Sequence, residues 1–426
     1  EKPIVIYKSG RTSAGRTSAQ SHTGALAGDY AVSEGVLRQA GAILARKSDE
    51  ILSIAEALSL LKPMRSRNVA VLADGGGHAT IAADALTEHG LILAPLSEST
   101  KRALAAILPP AAAVANPVDV AGGTDSNPAA FVDCARILLA DPNVDVLLIT
   151  GVFGGYGVRF SASLTEAEME TSRRIAALHQ EIGKPVLVHS LYGSLYADLR
   201  PKPLTLIRDL GVPVYDSLER AVRCVQALAE FGEARRRPMP AETVEPHRAK
   251  RFEQVIATCR REGRHVVLEH EARQALEDAG VAMLAPAVLA ETPDSAVAAF
   301  DPLGRVPVAI KVVSRDIIHK TDAGGVQLNL TDEAGVRRAF AEIVDSGTRH
   351  TRAQSGHAPA ITGLLVTPMA PKGGIEVIVG VVRDPSYGPV LMFGLGGVLV
   401  EVLKDVVFRS LPLTESDAHS MLAEIR

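Results

Sequence analysis

The 426-residue sequence predicts an α/β protein, in which a doubly wound parallel sheet is followed by an α+β module. Apolar runs at 69–72, 146–149 and 185–188 lack period-2 alternation, as expected of strands buried on both faces. Helical patterns, at 80–88 and 166–181 for example, separate those runs in the order of a βαβ fold. Beyond residue 250 strands become more frequent, glycine turns divide them, and helices thin out.

In chain order, 3–7 reads as a strand, 8–27 as a Gly/Ser/Thr-rich loop, and 29–39 and 48–61 as helices. So few elements cannot bury a complete core. Residues 1–64 therefore either pack on the next domain or form the C-terminal part of a domain continuing upstream, and the second reading is preferred. A second α/β domain is expected over 65–232. The basic, proline-bearing stretch 235–240, followed by 242–246, lacks apolar periodicity and predicts a linker over 233–248. The last module, 249–426, reads as helix 268–279, strand 306–313, loop 314–325, strand 326–330, helix 332–344, and strands 363–367, 376–382 and 390–393.

Composition excludes several classes. Forty-five Lys and Arg against 49 Asp and Glu give a net charge of −4, which argues against a nucleic-acid groove or a membrane-surface patch. No apolar run reaches the roughly 18 residues that span a bilayer. Hydrophobic residues at 47% exclude global disorder. Cys134, Cys224 and Cys259 lie far apart without CxxC spacing, so neither a disulfide framework nor a zinc site is encoded, and a cytoplasmic location is expected.

Three stretches carry candidate chemistry. His22 stands among small residues in Ser21-His22-Thr23-Gly24-Ala25-Leu26-Ala27-Gly28, after the basic Lys8-Ser9-Gly10-Arg11. It is either an accessible nucleophile or a loop histidine bonded to backbone. Asp74-Gly75-Gly76-Gly77-His78 joins a strand to a helix, where backbone N–H groups converge on an anion or the glycines serve tight packing alone. Lys311 ends an apolar strand, His319 and Lys320 follow in a polar loop, and Gly324 and Gly325 open the next strand. That arrangement suits nucleotide phosphates, although each residue singly also fits a surface role. Glu376, Gly394, Gly396, Gly397 and Glu401 are expected on adjoining strands of the same module.

Together these stretches, with Asn116-Pro117-Val118-Asp119 and the runs 311–326, 376–390 and 393–413, resemble the NDP-forming (ADP-forming) acyl-CoA synthetases, relatives of succinyl-CoA synthetase. The resemblance implies flavodoxin-like domains followed by an ATP-grasp domain. It implies that acid, CoA and ATP interconvert with acyl-CoA, ADP and phosphate through an acyl phosphate and a phosphohistidine. His22 matches the phosphohistidine, His319 a second phosphoryl carrier, and Gly75, Gly76 and Gly77 the helix start facing the phosphoryl group. Lys311, Gly324, Gly325 and Glu376 match nucleotide-binding positions. The substrates implied are a small carboxylic acid, CoA, phosphate and ATP or ADP, with Mg²⁺ as cofactor, in a homo-oligomer.

The same resemblance implies a CoA-binding domain before residue 1 and magnesium ligands after Arg426, so the chain is expected to be part of a longer protein. A second reading is a non-catalytic sensor region fused to a lysine acetyltransferase. The presence of His22, Lys311 and His319 together favours the enzyme.

Overall fold

The computed structural model describes residues 2–23, 29–120, 127–194, 197–237, 250–283, 286–304, 306–371, 373–397 and 405–425, with only the backbone at 19–23 and 197. The chain forms two compact bodies, one made of residues 1–241 with 377–426 and the other of residues 242–376.

The first body opens with β1 (Val5–Tyr7), α1 (Ser13–Thr23), α2 (Tyr30–Gln39), β2 (Ile43–Ala45) and α3 (Glu50–Leu60), and β1 and β2 pair in parallel. Two features differ from the sequence expectation. Half of the expected loop 8–27 is helical, because Thr12 caps α1 through its Oγ1, which accepts from Gly15 N at 3.1 Å. Strand β2 was not expected; at three residues it is too short to show a period.

The chain continues through β3 (Asn68–Ala73), α4 (Gly76–Glu88), β4 (Ile92–Leu93), α5 (Glu98–Ile107), β5 (Val118–Asp119), α6 (Ala130–Ala140), β6 (Val146–Gly151), α7 (Tyr156–Arg159), α8 (Thr165–Ile182), β7 (Val186–Ser190), α9 (Lys202–Asp209), β8 (Val214–Tyr215) and α10 (Leu218–Arg236). The sheet is parallel in the order β4-β3-β6-β7-β8, with β5 against the second half of β3. Val69 and Val71 point into a core with α3 and α10, whereas Ala70 and Leu72 point into one with α6 and α8. Burial on both faces is why β3 shows no alternation. Residues 1–64 share the first of these cores through Ile54, Ala57 and Leu58.

Strand β3 changes neighbour from β4 to β5 partway along, and a side chain bridges the gap. Asn116 Oδ1 accepts from Val71 N at 2.9 Å, while its Nδ2 donates to Val69 O at 2.7 Å and Ala94 O at 3.1 Å. The side chain thereby stands in for a neighbouring strand at Val71 N, and at Val69 O it adds a second donor to Ala94 N, which donates there at 2.9 Å. The expected linker starts later than 233, since α10 runs to Arg236. Arg236 Nη1 donates to Met64 O and Arg237 Nη1 to Arg38 O, so cations at the helix C-terminus anchor it. The rest of the expected linker, 238–248, lies outside the described residues.

The second body contains α11 (Lys250–Arg261), α12 (Glu269–Asp278), β9 (Val288–Ala290), α13 (Pro293–Ala298), β10 (Val308–Ser314), β11 (Val326–Leu330), α14 (Glu333–Ser355) and β12 (Ile361–Pro368). Its antiparallel sheet has the order β11-β10-β12-β9 and is covered by α13 and α14.

Strands β13 (Val377–Asp384), β14 (Gly388–Leu395) and β15 (Val406–Ser410) form a separate antiparallel sheet, followed by α15 (Glu415–Glu424). The expectation is corrected in one respect: these strands do not pair with the sheet of Lys311 but form a sheet of their own, which groups with the first body. Helix α2 lies directly on β15. A Cβ at Gly35 would sit 2.2 Å from Phe408 O, and Gln39 pairs with the Ser410 backbone, accepting from N at 2.7 Å and donating to O at 3.1 Å. Among the described residues no helix is long and apolar enough to cross a membrane.

Candidate functional site

In the first body, the strand order reverses at β3, with β4 on one side and β6 on the other. In open parallel sheets the crevice beyond the strand ends at such a point is where ligands bind. Helix α4 starts there. Its first backbone hydrogen bond runs from Ala79 N to Gly75 O, and no side chain caps it. The N–H groups of Gly76, Gly77 and His78 therefore have no acceptor among the described residues and face outward at the positive end of the helix. Gly76 and Gly77 are exposed, and Asp119 Oδ2 lies 3.4 Å from where a Cβ at Gly76 would be.

Asp74, just before these glycines, ties β3 to the exit of β6. Its Oδ2 accepts from Val152 N at 2.8 Å and from the Tyr156 hydroxyl at 3.0 Å, while Oδ1 is buried without a partner. Burial raises the Asp74 carboxyl above its ordinary range against the pull of those hydrogen bonds. A Cβ at Gly151, where φ is +131°, would lie 1.8 Å from Asp74 Oδ1, so both the backbone and the space require glycine. Nearby on β7, His189 Nδ1 lies 2.8 Å from Thr150 Oγ1. Burial, and after it the neighbouring His78, pushes the His189 imidazole down to about 4, so it is neutral at pH 7. Neither Asp74 nor His189 was singled out from sequence.

His22 is the penultimate residue of α1, at the negative end of the helix, and not in a loop. Gly24 to Gly28 of its motif lie outside the described residues. At the other end of α1, a cavity of about 390 Å³ is lined by Tyr7, Lys8, Gly10, Arg11, Tyr30 and Arg46 among others, with three cations and no acid. No described acid forms an ion pair with the side chain of Lys8, Arg11 or Arg46, although Glu50 accepts from Arg46 N at 2.8 Å.

In the second body, Lys311 sits on β10, half-buried, with its neighbours Ile310 and Val312 in the core. Gly324 and Gly325 shape the turn beside it. Gly324 has φ +62°, and a Cβ at Gly325 would meet Val312 Cγ1 at 2.5 Å. Their N–H groups donate to Thr321 O at 3.0 Å and Lys320 O at 2.7 Å, so they close the turn and do not form an open cradle. His319 is exposed. Lys311 Nζ donates to Glu269 Oε1 at 3.2 Å, and Lys320 Nζ donates to Glu269 Oε2. Burial works to raise the Glu269 carboxyl, but the Lys320 and Lys311 ammonium groups outweigh it and hold it below its ordinary range. Sequence reasoning missed Glu269 as a partner because 42 residues separate it from Lys311. Glu376 is exposed, directly precedes β13 and is not part of the Lys311 sheet. Glu401 lies outside the described residues. Among the described residues no cluster of three or more His, Cys, Asp or Glu could hold a metal.

Comparison with known proteins draws the boundary elsewhere, because one family match takes in both the sheet of Lys311 and β13 to α15. Residues 1–58 match a succinyl-CoA ligase-like flavodoxin domain, 69–217 a ligase-CoA domain, and 258–426 an ATP-grasp domain. The whole chain is 35% identical to ADP-forming acetate–CoA ligase I of Archaeoglobus fulgidus, covering 57% of it. It is 32% identical to the ADP-forming 4-hydroxybutyrate–CoA ligase of Nitrosopumilus maritimus, covering 58% of that protein. The chain thus spans under three fifths of these relatives. Over 42% of its length it is 41% identical to the beta subunit of ADP-forming acetate–CoA ligase II of Pyrococcus furiosus, and there it covers 70% of the relative. Three domain matches in succession, and this degree of identity to a largely covered subunit, establish that the chain belongs to the ADP-forming acyl-CoA synthetase family.

Proposed function

We propose that the protein containing this chain is an ADP-forming acid–CoA ligase, interconverting a carboxylic acid, CoA and ATP with acyl-CoA, ADP and phosphate. The observation that carries the reading is identity of 30 to 35% along the entire chain to ligases of acetate and 4-hydroxybutyrate. In the direction of thioester synthesis, a His22 ring nitrogen attacks the γ-phosphorus of ATP. The N–P bond forms as the bond to the ADP oxygen breaks, and the imidazole gives up its proton. The acid's carboxylate then takes the phosphoryl group, restoring the imidazole, and the CoA thiolate displaces phosphate from the acyl phosphate.

Each step needs dispersed negative charge held in place, and that is what the chain's cations and free N–H groups supply. The open start of α4 at Gly76, Gly77 and His78 suits a phosphoryl group on His22. The cavity of Lys8, Arg11 and Arg46 supplies further positive charge in the same body. Lys311 holds nucleotide phosphates, Gly324 and Gly325 shape the turn that brings the loop to it, and Glu376 lies near the nucleotide; where ATP lies beyond the reach of His22, His319 takes the phosphoryl group first and passes it on. Magnesium, when bound, would neutralise phosphate charge. CoA and the acid are substrates to which no residue here is assigned. The protein assembles as a homo-oligomer in the cytoplasm; the latter is supported by three buried, unpaired cysteine thiols.

Intact-protein and peptide mass spectrometry after incubation with Mg-ATP, handled at alkaline pH because phosphohistidine is acid-labile, tests the relay. A phosphoryl adduct on His22 is expected. Its absence from the full-length protein would favour a non-catalytic regulatory role, such as a sensor region of a lysine acetyltransferase.

A further inference from the structure

Two lysines converge on one carboxylate beside the turn of Gly324 and Gly325. Each Glu269 oxygen holds one ammonium group, Oε1 that of Lys311 and Oε2 that of Lys320. The three residues come from the start of α12, from β10, and from the β10–β11 turn, so the tertiary fold and not local sequence assembles them. Their side chains are a quarter to a third exposed, within reach of a ligand from solvent.

The charges do not balance. Two ammonium groups face a single carboxylate, and no other described acid pairs with either lysine. Each ammonium has three donors and uses one on Glu269. A polyphosphate brings more negative charge and more acceptor oxygens than one carboxylate can, so it competes favourably for the same donors. The turn favours such contact: the Lys320 carbonyl accepts from Gly325 N, which fixes the Lys320 backbone against the start of β11.

Glu269 is not needed to hold its own helix. The first turn of α12 is pinned by Glu271, whose Oε2 accepts from Leu268 N at 2.9 Å and whose two oxygens bind Arg264 at 2.8 and 3.0 Å. The Glu269 carboxylate is therefore free to leave the lysines without unfastening the element that carries it.

We propose that Lys320 is a second phosphate ligand of the nucleotide site, and that Glu269 is a resident counter-ion which the incoming nucleotide's phosphates displace from both lysines. The inference rests on the assignment of Lys311 to nucleotide phosphates made above. In the unliganded protein Glu269 keeps the two like charges together and discourages weak anions; ADP or ATP replaces it.

Titration calorimetry of the full-length protein with ADP and with AMP tests this. Lys320→Ala should weaken ADP binding about tenfold or more and AMP binding less, and Lys320→Arg should retain most of the affinity. Glu269→Gln, which removes the competing charge at constant size, should tighten ADP binding several-fold. Unchanged ADP affinity in Lys320→Ala would remove Lys320 from the site. Weaker ADP binding in a folded Glu269→Gln variant, judged by an unaltered unfolding midpoint, would mean that Glu269 orients the lysines and is not displaced. If the unsubstituted protein binds neither nucleotide, the assignment of Lys311 falls and this proposal with it; if it binds both and only the variants disobey, the assignment of Lys311 stands.

Discussion

His22 and His189 show how differently two histidines of one chain serve it. His22 is proposed to carry a phosphoryl group, so His22→Asn in the intact protein should abolish thioester formation while leaving ADP binding in place. A coupled acyl-CoA assay with calorimetry checks both, and undiminished turnover would remove the assignment. His189 is buried, paired with Thr150 and neutral, its pKa lowered to about 4. Because the folded value lies below the unfolded value near 6.5, the unfolded state binds the extra proton between those limits. Stability from keeping this ring neutral is complete above about pH 6.5, declines as pH falls through the window, and is gone below about pH 4. The full effect is on the order of 3 kcal/mol. His189→Asn should therefore flatten the pH dependence of urea unfolding between pH 4 and 6.5, and an unchanged slope would refute the account. At this scale the sequence displayed His22, Lys311 and His319 by the motifs around them. It concealed Glu269 and His189, whose partners are distant in the chain or on a neighbouring strand.

The elements best read in advance were those buried on both faces: β3, β6 and β7 announce themselves as unbroken apolar runs because each of their faces meets a core. Helix α1 was hidden because Ser, Thr and Gly at seven of the eleven flanking and helical positions 8–18 read locally as loop chemistry, and only the Thr12 cap marks its start. The contact of α2 with β15 was equally illegible, since Gly35 lies in an ordinary helical pattern and its reason for being glycine is the backbone of residue 408. Gly35→Ala should consequently destabilise the first body by about 2 kcal/mol, the usual cost of overpacking, despite the higher helix propensity of alanine. Urea unfolding measures it; a stabilised variant would show that the contact yields.

For the whole molecule, the order of modules was legible and their boundaries in space were not. The run from 376 to 382 looks like one more strand of the Lys311 module, and the ATP-grasp match includes both, yet among the described residues β13, β14 and β15 pair with one another and group with residues 1–241. Hydrogen bonding along a strand is blind to which body the strand serves, so no local pattern could mark the change. Because, among the described residues, no strand of the first body pairs with the sheet of the second, replacing 242–376 by a flexible Gly/Ser linker should leave a cooperatively melting protein. Calorimetry would register loss of the transition if the division were wrong. The fastening of α2 to β15 has a consequence for the chemistry as well. With Gly35 and Gln39 seated on that strand, His22 stands seven residues before Asp29, a length of chain that spans at most about 25 Å. On the role proposed for His22, every group that gives a phosphoryl to that imidazole, or takes one from it, has to come within that radius plus one side chain's length.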